Sequence, residues 1–280
     1  MWGSSFLLIK IAVAELTPSA VVAGRLVIAA IVLAVAVALG RRPIPRSPSP
    51  YLYFLALAIV GNCLPFWLIA WGEQFVGAGV AGVLMAIMPL TTLLLAHWMV
   101  AGERFDAPRV AGFVLGFLGV VVLVGPDALM ELRGEGTALW AQVAILGAAI
   151  CYAVNTIIAR QRPKTDPLVA AAGTLIAASL VMVPIAAMSE PVQDIQLGTM
   201  AAVAVLALGL ISTALATVTF FKLIDLAGPT FLSLINYLIP LWALLGSVLF
   251  LGEEAEWRAV LALVLILSGV ALAESRFRLR

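Results

Sequence analysis

Apolar residues fill this chain in runs of about twenty, broken by short clusters of glycine, proline and charge. The runs at 19–39, 51–71, 77–100, 108–125, 138–159, 167–187, 199–221, 229–251 and 257–273 meet or approach the ~20 residues a helix needs to cross a ~30 Å hydrocarbon core. A tenth run, 1–15, opens the chain and is short. The breaks lie at Gly40 to Pro50, Gly125 to Gly136, Arg160 to Pro167 and Ser189 to Gly198, and none is long enough to hold a soluble domain. The pattern predicts an all-α integral membrane protein of ten transmembrane helices.

Composition rules out a water-soluble fold. Of 280 residues, 64% are hydrophobic and 11% charged, with mean hydropathy +1.15, whereas a soluble domain is roughly a quarter charged. The net charge of +1 gives no footing for nucleic acid, so the surrounding partner is membrane lipid. Cys63 and Cys151 sit inside apolar runs without metal-ligand spacing and read as small packing hydrophobes. Ala12-Val13-Ala14 imitates a cleavage site, but Lys10 interrupts the apolar run and no basic segment precedes it. The opening run therefore reads as a span rather than a signal peptide.

Charge placement orients the spans. With the N-terminus inside, the inner loops and tail hold twelve basic residues: Arg41, Arg42, Arg46, Arg104, Arg109, Arg160, Arg162, Lys164, Lys222, Arg276, Arg278 and Arg280. The outer loops hold Arg133 and Arg258, while Lys10 and Arg25 lie in spans. The positive-inside rule then puts both termini, including the tail 275–280, on the cytoplasmic side of the cell inner (plasma) membrane. Ten of the fifteen acids fall outside, among them Glu131, Glu135, Glu190, Asp194, Glu253, Glu254 and Glu256.

The halves resemble each other at an offset near 150. Gly102-Glu103 echoes Gly252-Glu253, Gly119-Val120 echoes Gly269-Val270, and Pro89 matches Pro240. Trp2 falls opposite Tyr152, Ser5 opposite Asn155 and Trp67 opposite Thr217. Five spans per half is an odd number, so the second half must lie inverted. The expected organisation is a first repeat over 1–125, an outer connecting loop over 126–137 and an inverted repeat over 138–274. Inverted repeats around a central cavity are the usual build of alternating-access transporters. Tyr152 has about fourteen apolar residues before it in its span and Trp2 has one, so the repeat expects further residues upstream of Met1.

The order Trp2-Gly3-Ser4-Ser5-Phe6, Lys10, Arg25, Pro89…Gly102-Glu103 and Pro240…Gly252-Glu253 resembles the EamA-type drug/metabolite transporters over essentially the whole chain. Within them it is most similar to the YddG-type aromatic amino acid exporters. The resemblance implies a ten-helix basket whose cavity is lined mainly by spans 1, 3, 4, 6, 8 and 9. It also implies a secondary exporter, with a small-molecule substrate that is an amino acid or similar metabolite; relatives carry amino acids, nucleobases and drugs.

Side chains that are expensive in lipid unless they face protein or water mark the candidate substrate site. They are Trp2 and Ser5 in span 1; Asn62, Phe66, Trp67 and Trp71 in span 3; and Met85 and Met88 in span 4. The second half offers Tyr152 and Asn155 in span 6, Thr213, Thr217 and Phe220 in span 8, and Asn236 and Tyr237 in span 9. Such a set suits an aromatic ring held between aromatic faces, with amides and hydroxyls orienting polar ends. The steps 63, 67 and 71 put both tryptophans on the helical face of Cys63. Packing or interfacial anchoring is the competing role for each tryptophan, and Trp98, Trp140 and Trp257 read as interfacial.

Lys10 reads as snorkelling to the outer interface. Arg25, about 10 Å inside span 2, reads as pairing with Glu15 or Glu73 rather than touching ligand. His97 reads as a packing histidine, and Gly112, Gly116 and Gly119 as close helix packing, within the molecule or at a dimer face. The expected assembly is a monomer or homodimer. One histidine, two separated cysteines and no intramembrane acid pair leave no triad, dyad or metal site, so neither catalysis nor a cofactor is expected. No acid falls mid-span, so alternating access without an intramembrane proton-binding carboxylate is expected, with Glu15 and Glu73 at a vestibule as the remaining candidates. Three functions follow: export of amphipathic, chiefly aromatic amino acids; broader drug or metabolite export; and a non-transporting scaffold. Polar groups spread over six spans favour transport, because a scaffold would bury plain aliphatic faces.

Overall fold

The computed structural model describes residues 2–3, 5–103, 106–132, 135–189, 198–251 and 257–274. Gly252-Glu253, Arg104, Arg133, Glu190, Asp194, Glu254, Glu256 and the tail 275–280 lie outside them, as do the side chains of Glu131 and Pro240. Among these residues twelve helices follow in chain order. They are α1 Ser5–Val13, α2 Pro18–Leu39, α3 Ser49–Ala58, α4 Leu64–Gly72, α5 Ala78–Met85, α6 Ile87–Met99, α7 Ala107–Glu131, α8 Thr137–Gln161, α9 Pro167–Ser189, α10 Thr199–Ala207, α11 Ala216–Leu251 and α12 Trp257–Glu274. Among the described residues two π-helical segments, Ile59–Cys63 and Leu208–Leu215, join α3 to α4 and α10 to α11.

The protein is an all-α membrane protein. Among the described residues seven stretches are long and apolar enough to span a bilayer, and Val260–Ala273 is a shorter apolar helix. The longest, Thr199–Ile239, has 41 residues and turns sharply at Gly228 (φ 83, ψ 173), a conformation natural to glycine. Gly125 (φ 83, ψ 177) breaks α7 in the same way. Both connectors differ from expectation. The segment after Gly125 continues as helix to Glu131 rather than opening into a loop, and the chain through Lys222 is helical up to Gly228.

Local chemistry sets several helix starts. Thr17 accepts the Ala20 N–H at 3.3 Å ahead of Pro18, and Asp106 accepts the Arg109 N–H at 2.9 Å. Asp166 accepts from Leu168 and Val169 at the head of α9. Each satisfies an amide that has no partner in the first turn.

Small residues bring the helices together. A Cβ on Gly112 would meet the Gly269 carbonyl and Ala273 of α12, one on Gly116 the Tyr237 ring, and one on Gly119 Ile266. The three glycines thus serve packing within the molecule. A large core runs through α1–α4, α8 and α9, and a second gathers Phe113, Val120, Tyr237 and Ile266. Leu94, Trp98, Leu118, Leu180 and Leu226 stand exposed on the outside, as lipid-facing residues do.

The connectors sort to two ends. Arg42 pairs with Asp166 (3.2 Å), Arg162 with Asp225 (2.7 Å) and Arg109 with Glu103 (3.0 Å). Gln161 donates to the Met99 carbonyl (2.9 Å) and Arg160 to that of Ile224 (3.2 Å). The connectors after α2, α6, α8 and the first part of α11 therefore meet at one end. At the other, Glu15 accepts the Gly198 N–H (2.9 Å) and Ser19 meets both Ser189 (3.4 Å) and Trp67 (3.2 Å).

Candidate solute cavity

The helices enclose a cavity of about 980 Å³, counting the open space at its mouth. The π segments shape its walls. A π turn holds one residue more than the α turns around it and weakens the helical ladder. Asn62, 6% exposed, donates its amide N–H to the Leu57 carbonyl at 3.1 Å. Thr213 donates its hydroxyl to the Leu208 carbonyl at 2.8 Å. In lipid such carbonyls need a partner from protein.

Most of the polar and aromatic side chains expected from the sequence converge here. Trp2, Ser5, Asn62 and Phe66 line the cavity, with Met85 and Met88 beside them. Tyr152, Asn155, Thr217, Phe220 and Asn236 close it from the second half of the chain. The Tyr152 ring stands edge-on to Phe66, centroids 6.4 Å apart. Asn155 Oδ1 is buried and accepts no hydrogen bond. Asn236 donates to Met88 Sδ (3.0 Å) and to the Ser233 carbonyl (3.1 Å).

Four expected residues do not line it. Trp67 and Trp71 do share a helical face and stack nearly parallel (6.3 Å, 5°), but that face belongs to Ser19 and Phe75. The cavity face of this span runs through Asn62, Phe66 and Ile69 instead, roughly 100° round the helix. Tyr237 is fully buried, its hydroxyl donating to the Phe113 carbonyl at 2.9 Å while its ring covers Gly116. Thr213 sits behind the wall.

Arg25 corrects the largest expectation. It pairs with neither Glu15 nor Glu73 and lines the cavity. Its Nε donates to Thr213 Oγ1 at 2.9 Å, and its guanidinium carbon lies 3.9 Å from the Phe66 centroid, a cation–π distance. Ser212, Thr156 and Thr174 also line the cavity without having been expected. The signal for Arg25 was in the sequence: a lone arginine deep in an apolar run must find protein or a polar cavity. Among the described residues no group of three His, Cys, Asp or Glu side chains is placed to hold a metal.

The sequence profile of the EamA-like transporter family matches residues 1–125 and 139–274. An uncharacterized transporter of Synechocystis sp. is 28% identical over 300 residues, covering 100% of this chain and 88% of its own. A probable terminal-alkyne amino-acid exporter of Streptantibioticus cattleyicolor is 27% identical over 284 residues, covering 98% and 90%. A crystal structure at 20% identity shares the fold, with a TM-score of 0.76 over 98% of this chain and 96% of that one.

Proposed function

This chain belongs to the EamA-like transporter family, a multi-pass secondary transporter and not an enzyme, and from that premise we propose that it exports amphipathic amino acids, aromatic ones first. The observation that carries the reading is the cavity wall. Trp2, Phe66, Tyr152 and Phe220 offer ring faces, while Asn62, Asn155 and Asn236 offer amides. A ring pressed between such faces is held by area and geometry together, and the amides orient its polar end. That a relative of similar length carries the name of an amino-acid exporter supports the same substrate class.

The proposed architecture is ten helices in two inverted repeats, 1–125 and 138–274, with both termini cytoplasmic. Two observations support it. The π segments fall at matching places in the halves, and the connectors alternate between the two ends of the bundle. The transport cycle is a rocking of the halves around the cavity, driven by the solute gradient. No acid stands among the described cavity residues, which favours a cycle without a proton-binding carboxylate inside the membrane. Broader metabolite export is the second reading, favoured by Met85 and Met88 in the wall, since methionine adapts to varied ligands.

Flux into proteoliposomes, with a panel of labelled amino acids and cationic dyes and no proton gradient, tests the proposal. Aromatic amino acids should move fastest, and His97→Ala should retain most of that flux. Equal movement of dyes and amino acids would favour the broader reading, and no movement of either would leave only a scaffold.

A further inference from the structure

Arg25 is the one charged side chain among the described residues lining the cavity, and it has no acidic partner there. No described carboxylate comes within 4.0 Å of its guanidinium. Of the two acids expected from the sequence to pair with it, Glu15 accepts the Gly198 amide, and both buried Glu73 oxygens are without a hydrogen bond. Glu73 acts on Arg25 only through space.

The guanidinium is nevertheless fixed in place. Thr213 holds Nε and the Phe66 ring covers one face. The two terminal nitrogens donate to no described residue. A buried, uncompensated cation is unfavourable in a medium of low dielectric, and the penalty is relieved when an anion arrives. The free fork of an arginine matches the two oxygens of a carboxylate, giving paired charge-assisted hydrogen bonds.

We propose that Arg25 is the anchor for the carboxylate of the transported solute. The proposal deepens the amino-acid reading and rests on its cavity. The other end of an amino acid also finds partners. Asn155 Oδ1 is buried without a donor, and the amide nitrogens of Asn62 and Asn236 are already committed. Their oxygens are left to accept from an ammonium. A cation lacking a carboxylate meets the guanidinium with nothing to offset the repulsion, which falls off slowly in a site shielded from water.

Three labelled probes of one shape separate the possibilities in proteoliposomes holding the full chain: phenylalanine, 3-phenylpropionate and phenethylamine. Phenylalanine and phenylpropionate should enter about tenfold or more faster than phenethylamine, the scale of a charge-assisted hydrogen bond. Phenylpropionate moving alone would sink the amino-acid reading and leave the anchor standing. Phenethylamine moving as fast as phenylalanine would overturn the anchor and leave transport standing, and no movement of any probe would overturn both. Arg25→Gln should collapse the phenylpropionate-to-phenethylamine ratio, and Arg25→Lys should restore part of it. That ratio does not depend on how much protein folds, and an unchanged ratio in Arg25→Gln overturns the proposal. If that variant does not fold, the wild-type ratio decides.

Discussion

Asn62 and Thr213 make the same bond in the two π segments: each turns its side chain back to the carbonyl five residues before it, Leu57 and Leu208. Both lie next to the cavity, and Thr213 also accepts from Arg25. One hydroxyl thus joins a widened helical turn to the buried cation. Thr213→Val should remove both bonds at little change in volume. Hydrogen bonds to charged groups are worth about 1.5–3 kcal/mol, so phenylalanine flux should fall roughly tenfold or more. Flux per folded molecule is the measurement, and a wild-type value would show that Arg25 needs no such support.

Gly61 lies against the Asn155 amide, and a Cβ there would run into Asn155 Oδ1 and its carbon. Gly61→Ala should therefore displace the asparagine, at about 1–3 kcal/mol of overpacking. Flux should drop more than the yield of folded protein. Gly147→Ala, where a Cβ would meet only Leu68 at an ordinary 3.7 Å, should leave both near wild type and serves as the control.

Far from the cavity, Gly112→Val pushes α7 from α12 at the Gly269 carbonyl. The expected result is a lower melting temperature in detergent, from about 1–3 kcal/mol of overpacking, with the ranking of transported probes unchanged. A change in ranking would tie this contact to the solute site.

Topology is open to labelling in a Cys63→Ala, Cys151→Ala background. Exposed Ser47 and Gln74 sit at opposite ends of the Ser49–Gly72 span. An impermeant maleimide should reach Gln74→Cys in intact cells and Ser47→Cys only after permeabilisation. The reverse pattern would invert the orientation.

Glu73 follows the last residue of that span, and burial pushes its carboxyl up from the ordinary 4.5 to about 8. Lys10 of α1 and Arg25 of α2 pull the other way, and α8 brings Ala141 and Ile145 to the neighbouring Gly72. With the folded value above the unfolded one, the folded protein keeps a proton that the unfolded chain has released. Stability is then greatest below about pH 4.5, falls as pH rises, and levels off above about pH 8. In detergent the melting temperature should decline between about pH 5 and 8, and Glu73→Gln should flatten that decline. The same slope in both proteins would show that another group titrates.

The all-α membrane class was readable, though not every break, because lipid leaves a helix few options: every backbone group must bond within it, so length and apolarity almost define it. Direction was harder. The depth of Arg25 along α2 can be counted from Pro18, but its facing depends on Thr213, 188 residues away. A helical wheel drawn through 63, 67 and 71 found the shared face of Trp67 and Trp71 but could not show that Ser19, rather than the cavity, meets it. Tyr237 looked like a cavity residue because a polar aromatic side chain is expensive in lipid; the glycine that receives its ring lies in another helix. Hydropathy says where a residue stops along the membrane normal, and only the packed partner says which way it looks.

The two π segments also govern how this chain tolerates changes in its length. Elsewhere in a span, deleting one residue rotates everything beyond it by about 100° and turns buried side chains to lipid. Within Ile59–Cys63 or Leu208–Leu215 the surplus residue is already housed in a widened turn, so its loss closes that turn to ordinary α-helix and keeps the flanking faces in register. Each of these two stretches thus lets a single-codon deletion be absorbed by the backbone, at the cost of the hydrogen bond that Asn62 or Thr213 makes there.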